Sequence, residues 1–296
     1  MSVAVSIVIR CRNEATHLGA VLDAVLAQEG APPFEVLALD SGSRDGTLEL
    51  LARRRVRVEH LPADTFTFGR ALNRGAALAC GEIVVFLSAH CRPLASGWLA
   101  ALVSPFADAE VVATFGRQVP VPGMNPIEAL AQARMFPALP PAGVLFSNAN
   151  GAVRRAAVHA GPFDEDIPAA EDHLWAAHVR PSARIVYVPA AAVSHSHPMT
   201  LREWRFRFYV NGLAVEYARR RAGVEMPWGD DAASAGGIVR GRAGAFVRLA
   251  AMLARAGEAR ALAHLPSYVL ARTISYTRGR RDGARRYGHH AEVSRR

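Results

Sequence analysis

An α/β fold on a largely parallel sheet is predicted for this chain by two observations. Short β-rich runs alternate with segments of helical apolar spacing through the first half, the mark of βαβ units. Each β-rich run also ends at polar residues, as strands do when their carboxyl ends open onto a crevice. The runs are Val5–Ile9, Glu35–Leu39, Val56–Glu59 and Ile83–Leu87. Between them, Ala15–Gln28, Thr47–Arg54 and Gly69–Ala79 carry apolar residues on one helical face. With 296 residues and 51% hydrophobic content, the chain can bury a substantial core. The segments just after each strand are where chemistry is sought.

The second half changes character. Pro120-Val121-Pro122-Gly123 and Pro137–Gly143 act as breakers around a helix at Ile127–Arg134. Ala149–Val153 and Arg184–Val188 read as strands, Ala170–Val179 as a helix and Leu201–Arg221 as a long basic helix rich in aromatics. A polar, Gly-containing linker runs to about Gly237, followed by Arg-studded helical patterns at Ile238–Ala256 and Ala259–Thr277. The expected organisation is a domain at 1–222 and a basic helical extension at 223–296. Charge follows a similar division: residues 201–296 hold 19 Arg and 8 acidic residues, against 16 and 18 before them, and the chain has no Lys. Such a tail suits an anionic partner such as phospholipid head groups or a polyprenyl-phosphate carrier, or else is a solvated helical surface. Within it, Trp204 and Phe208 either dock on the body of the protein or, with Arg202, Arg205 and Arg207, enter a membrane interface.

Cys11, Cys80 and Cys91 form no CxxC pair, so neither a zinc site nor a disulfide framework is indicated. A reducing cytoplasm fits, with peripheral contact to the inner face of the plasma membrane as the expected mode of membrane association. The N-terminal Val3–Ile9 run is too short for a signal sequence, and no apolar run reaches the ~20 residues that span a bilayer. There is no Walker loop and no G-x-G-x-x-G fingerprint, which removes the usual support for ATPase and NAD readings.

Asp40-Ser41-Gly42-Ser43-Arg44-Asp45-Gly46-Thr47 follows a hydrophobic strand and opens a helix. Asp40 can accept the imide N–H of a uracil or thymine ring, and Ser and Asp groups can bond ribose hydroxyls. Plain capping by Ser43 or Asp45 is the competing account. With Arg10-Cys11-Arg12-Asn13-Glu14 after the first strand, the chain resembles glycosyltransferase family two, the inverting family with the GT-A fold, from about Val5 to Asn211. Phe68–Asn73, Phe115–Gln118 and Phe146–Asn150 make it most like bacterial rhamnosyltransferase-like members.

The resemblance implies a Rossmann-like, mostly parallel central sheet with flanking helices and a C-terminal helical extension. It implies nucleotide-sugar contacts at Arg10, Glu14, Asp40, Ser41, Ser43, Asp45, Arg70, Asn73, Ser88 and His90. Acceptor contacts fall on Arg117, Asn148 and Trp175. Glu171 and Asp172 form the acidic pair near the acceptor, with Asp172 as general base; complementing a helix N-terminus is their alternative role. The family's acidic metal motif is replaced here by Ser88-Ala89-His90. Three accounts stay open: His90 binds a cation softer than Mg2+, it contacts the diphosphate directly, or the motif has decayed. His195 and His197 share one strand face, and His90 with His197 is the expected metal or phosphate pair. A divalent cation, Mn2+ or Mg2+, is therefore an open expectation.

The implied activity is transfer of a sugar, rhamnose among the candidates, from a dTDP- or UDP-sugar donor to a glycan or lipid-linked acceptor in cell-surface polysaccharide synthesis. A non-catalytic sugar-nucleotide or glycan binder is the alternative. No nucleic-acid partner is expected.

Overall fold

A computed structural model describes residues 3–140, 145–195, 200–226, 247, 250–255 and 257–288. Its first part is built from β1 (Val5–Cys11), α1 (Ala15–Leu26), β2 (Phe34–Asp40), α2 (Thr47–Arg53), β3 (Arg57–His60), α3 (Phe68–Leu78) and β4 (Ile83–Ser88). These are the four strands and three helices expected from the pattern, with ends shifted by one or two residues. Then come β5 (Arg92–Pro93), α4 (Trp98–Val103), β6 (Val111–Pro120), α5 (Pro126–Met135), β7 (Asn150–Arg154), α6 (Arg155–Ala160), α7 (Glu171–Val179) and β8 (Arg184–His195). The last helices are α8 (Leu201–Tyr217) and α9 (Ala259–Gly288).

All eight strands form one sheet in the order β3-β2-β1-β4-β7-β6-β8-β5. The β3-β2-β1-β4 half is parallel throughout. Strand β7 then runs antiparallel to β4 and β6, while β6 and β8 pair in parallel. Pleating sends Val5, Ile7 and Ile9 to one face, onto Leu18, Leu22 and Val25 of α1 and Trp98 and Leu102 of α4. Val8 and Phe86 face the other way, with Leu72 of α3, Phe146, Phe163 and Trp175. Each such side chain contributes about 1.5–3 kcal/mol by leaving water.

Strand β6 escaped the sequence reading, and β8 continues past its expected end at Val188. Their pairing slips between Gly116 and Gln118, where β8 jumps from Val188 to Val193. A Cβ at Gly116 would stand 1.9 Å from the Ala191 carbonyl oxygen and 2.4 Å from Asn150 Nδ2, so only glycine fits at this irregularity.

By internal contacts the chain forms two compact units. One is Met1–Val121, Ala133–Asp166 and Glu171–Ser196; the other is Pro122–Gln132, Ile167–Ala170 and His197–Arg296. The second unit therefore takes in α8, which the sequence division grouped with residues 1–222. The reason is close backbone approach: a Cβ at Gly212 of α8 would lie 2.3 Å from the Tyr276 carbonyl, and one at Gly279 of α9 would lie 2.0 Å from the Tyr209 carbonyl. Buried Glu216 of α8 bonds Arg219, Arg220 and Arg280, and Trp204 and Phe208 meet edge to face and pack around Tyr268 of α9. Helix α9 runs past its expected end at Thr277 to Gly288. Of the helical pattern expected at 238–256, residues 247 and 250–255 are described and are helical; the rest of it and most of the linker at 223–237 lie outside the described residues. Among the described residues, no helix is long and apolar enough to cross a membrane.

Candidate functional site

The parallel strands β1, β2 and β4 all end at one edge, and the expected nucleotide loops meet there. Asp40, the last residue of β2, is buried and its carboxylate accepts the backbone N–H groups of Gly42 (3.0 Å) and Ser43 (3.1 Å). Ser41 donates its backbone N–H to the Cys11 carbonyl, and Ser43 Oγ accepts the N–H of Asn13 at 2.9 Å. Asp45 accepts from Ala15 N and from both the backbone and hydroxyl of Thr47, which lowers its pKa through the Thr47 hydroxyl first. Gly42 and Gly46 hold left-handed φ angles of 93° and 96°, which a side chain would oppose. The loop after β1 and the loop after β2 are thus laced together, so capping and site-building are performed by the same residues.

His90 follows β4. Its Nδ1 stands 3.0 Å from Glu14 Oε1, and its ring stacks on His195 at 5.2 Å and 16°. His195 Nδ1 in turn meets Gln118 Oε1, and Gln118 Nε2 donates to Ser147 Oγ at 2.8 Å. A carboxylate oxygen beside Nδ1 of one ring and an amide oxygen beside Nδ1 of the other is the kind of contact that orients metal-binding histidines. Ser88 accepts the Cys91 N–H at 2.8 Å and turns the chain back. Among the described residues, His90, Cys91 and His195 form a group of potential metal ligands, with ligand atoms within 4.8 Å of one another. Two imidazoles and a thiol suit later transition metals better than the oxygen-seeking Mg2+. Burial holds the Cys91 thiol far above its ordinary value, so it is protonated. The partner found for His90 is thus His195; His197 lies outside the described residues.

Across the same edge, α7 opens with Glu171 and Asp172 directly after Ala170, whose φ of 62° is left-handed. Asn148 joins them: its Nδ2 donates to Glu171 Oε1 at 2.7 Å and its backbone N–H donates to Asp172 Oδ2 at 3.1 Å. Arg10 Nη2 donates to Asn148 Oδ1 at 2.6 Å, with the guanidinium 5.5 Å from the Phe68 ring centre. Arg10 Nε and Nη1 are buried with no protein partner among the described residues. Burial, then the neighbouring Asp172, pushes Glu171 up to about 7, and burial raises Asp172 as well. Burial lowers Arg10, opposed by the charges of Glu171 and Asp172, and holds His173 neutral with a pKa near 3.

Several expected contacts are spent elsewhere. Arg70 Nη1 donates to the Thr65 carbonyl and its Nε pairs with Glu165 at 3.1 Å. Asn73 uses both ends of its amide on Phe163, and bonds Glu165 besides. The two clamp α3 to residues 163–165, where Gly69 approaches the Asp164 carbonyl. Trp175, expected at the acceptor, is a core residue: it is buried, stacks on Phe163 and donates Nε1–H to the Gly161 carbonyl. Asn148 is likewise turned inward onto the carboxylates, and Arg10 lies with them. Arg117 keeps a buried Nε with no partner among the described residues. Gln118 and Ser147 were missed. Each sits inside a quoted motif, but only the pairing of β6 with β8 reveals what they touch.

A family model described as glycosyl transferase family 2 matches residues 6–156. The O-antigen chain rhamnosyltransferase RfbN of Salmonella typhimurium is 26% identical over 225 residues, covering 71% of each chain. A pre-mycofactocin glycosyltransferase of Mycobacterium tuberculosis is 30% identical over 240 residues, 75% of this chain and 49% of the relative, so this chain spans about half of that protein. Among solved structures, the mannosyltransferase PcManGT from Pyrobaculum calidifontis, in complex with GDP-Man and Mn2+, superposes with a TM-score of 0.62 at 19% identity, covering 94% of this chain and 88% of that one. Staphylococcus aureus TarS 1–349 in complex with UDP gives 0.54 at 16% identity, covering 96% and 92%. These two likenesses show the fold, a GT-A α/β architecture.

Proposed function

The chain belongs to glycosyl transferase family 2, and from that premise we propose that it is an inverting transferase in which Asp172 is the general base. The observation that carries this is the buried pair Glu171–Asp172, held by Asn148 and Arg10 at the carboxyl edge of the sheet. Asp172 takes the proton of an acceptor hydroxyl as that oxygen bonds to the anomeric carbon; the bond to the nucleotide diphosphate breaks on the opposite face and the diphosphate leaves with its electron pair. Burial raises Asp172 and so makes it a stronger base than an exposed aspartate.

The donor side is formed by the loops after β1 and β2, with Asp40, Ser41, Ser43, Asp45 and Glu14 lining it and Ser88 and His90 beside it. A dTDP- or UDP-sugar fits the hydrogen-bonding character of Asp40, and similarity to O-antigen rhamnosyltransferases supports rhamnose as the sugar. The acceptor is a glycan or lipid-linked glycan of cell-surface polysaccharide synthesis. Arg117 is the expected acceptor contact that the fold leaves with an unpartnered buried nitrogen. A divalent cation, when bound, neutralises charge on the departing diphosphate; His90 and His195 are the residues that would hold it, and Mn2+ suits them better than Mg2+. The Arg-rich composition of residues 201–296 supports peripheral contact with an anionic membrane surface, on the cytoplasmic side. Loss of the acidic pair at Ser88-Ala89-His90 favours the second reading, a binding protein without catalysis.

A thermal-shift panel of UDP, dTDP, GDP and their sugars, each with EDTA, Mg2+ or Mn2+, tests the donor side, because a ligand that binds the folded state raises its melting temperature. A transfer assay on Asp172→Asn tests the base, with a loss of about 10²–10⁴ in kcat expected. A folded variant with undiminished turnover rejects Asp172 as base. Nucleotide binding without any transfer by the wild type selects the binding protein.

A further inference from the structure

We propose that Asn148 and Arg10 form a clamp that positions the Glu171–Asp172 pair and keeps Asp172 the anionic member, so that Arg10 serves the acceptor-side carboxylates and not the donor nucleotide. The inference rests on the reading of Asp172 as base. Asn148 is buried, and both ends of its side-chain amide are engaged, one with Arg10 and one with Glu171. Its backbone N–H reaches Asp172, which also accepts the N–H of His173 at 2.9 Å. Asp172 thus accepts the backbone N–H groups of Asn148 and His173 besides its own, whereas Glu171 accepts its own N–H and the side-chain amide of Asn148. Donated N–H groups favour the charged form, so the proton shared by two adjacent buried acids resides on Glu171.

The groups that face this pair come from three elements. Arg10 projects from the end of β1, with Cys91, after β4, as a further neighbour of its charge. His173 of α7 is adjacent in sequence and neutral. The guanidinium is therefore the cation that offsets the pair, and it reaches the pair through the Asn148 amide. Nucleotide contact through its unpartnered Nε and Nη1 is the competing account.

Arg10→Gln, Asn148→Ala and the double variant separate the two. The readouts are kcat against pH at saturating donor, and binding of UDP and dTDP by calorimetry. The clamp predicts nucleotide affinity within about twofold of wild type. It predicts a kcat reduced about 10–100-fold at neutral pH, with the acidic limb of the profile moved up by about one pH unit, in Arg10→Gln because Asp172 has lost its counter-charge and in Asn148→Ala because the guanidinium is no longer held to the pair. The double variant is then no worse than the worse single, since Arg10 acts through Asn148. An Arg10→Gln protein with about tenfold weaker nucleotide binding and an unmoved acidic limb overturns the proposal, as do effects of the two single changes that multiply. Should Arg10→Gln lose the native melting transition, Arg10→Lys and Asn148→Ser carry the same comparison. Turnover by Asp172→Asn reports failure of the base assignment itself; an inactive Asp172→Asn beside unshifted clamp variants rejects the clamp alone.

Discussion

Replacing Glu171 by Gln should stabilise the protein at neutral pH relative to wild type, and the gain should vanish in acid. Glu171 is buried and its pKa rises from 4.5 to about 7 in the folded chain. A carboxyl group with a raised folded pKa binds more protons folded than unfolded between those two values, so its contribution to stability falls as pH rises through that window. The shift corresponds to a loss on the order of 3 kcal/mol by neutral pH. Gln cannot ionise, keeps an oxygen to accept the Asn148 Nδ2–H bond, and so removes the loss without removing the contact. His173 works in the opposite sense: its folded pKa lies near 3, well below 6.5, so the stability it contributes is complete above 6.5 and is lost as pH falls toward 3. Over 4.5–6.5 these two slopes oppose each other in the wild type, with that of the raised Asp172 on the side of Glu171, and the difference between wild type and Glu171→Gln is the quantity that reports Glu171. Urea unfolding of both proteins at a series of pH values measures it. A difference that stays constant from pH 4.5 to 7 refutes the assignment of a raised Glu171.

Removing the opposing histidine, as His173→Phe, should leave a protein that loses stability steadily as pH rises from 4.5 to 7, read from the same urea series. Gly116→Val should prevent native folding or cost more than about 4 kcal/mol, since its Cβ would meet the Ala191 carbonyl at 1.9 Å; soluble yield and the melting transition report it. Trp98→Phe leaves Asn150 Oδ1 without the indole N–H that now reaches it at 3.0 Å in the core, for a loss of about 1–3 kcal/mol in chemical denaturation. Asn73→Ala should destabilise by a similar ~1–3 kcal/mol while nucleotide affinity holds, because both ends of its amide are bonded to residues 163–165.

What could be read from the sequence is what local chemistry decides. Strands β1 to β4 announce themselves by apolar runs that stop at polar residues, and the Asp40–Thr47 loop by turn residues whose left-handed glycines the structure confirms. Strand β6 was hidden because Gly116, Arg117 and Gln118 interrupt its apolar run, and their placement is fixed by an irregular pairing with β8. The acidic pair was legible at the opening of a helix. Its support was not, since Asn148 lies 138 residues from Arg10 and 23 from Glu171. Arg70, Asn73 and Trp175 are expected at substrate through the family resemblance, which carries no information on what each side chain packs against in this chain. Their actual partners, Glu165, Phe163 and Gly161, are claimed through packing that no local pattern encodes.

The change of strand direction after β4 explains how these distant residues meet. In the parallel half every strand presents its carboxyl end to the same edge, which gathers Arg10, Asp40 and Ser88. Strand β7 runs the other way, so what it brings to that edge is its amino end, with Asn150 opposite Leu87 and the turn through Asn148 just before it. Backbone N–H groups at the start of such a strand are unspent, and the one on Asn148 reaches Asp172. Trp98 secures the same corner through Asn150, whose amide also bonds the Arg117 and Ala191 carbonyls beside the glycine-requiring irregularity of β6. The proposed base is therefore held by the turn that leads into the reversed strand, while the proposed donor loops belong to the parallel ones. Substitutions at Trp98 or Gly116 should consequently reach turnover through Asn148, before they reach nucleotide affinity.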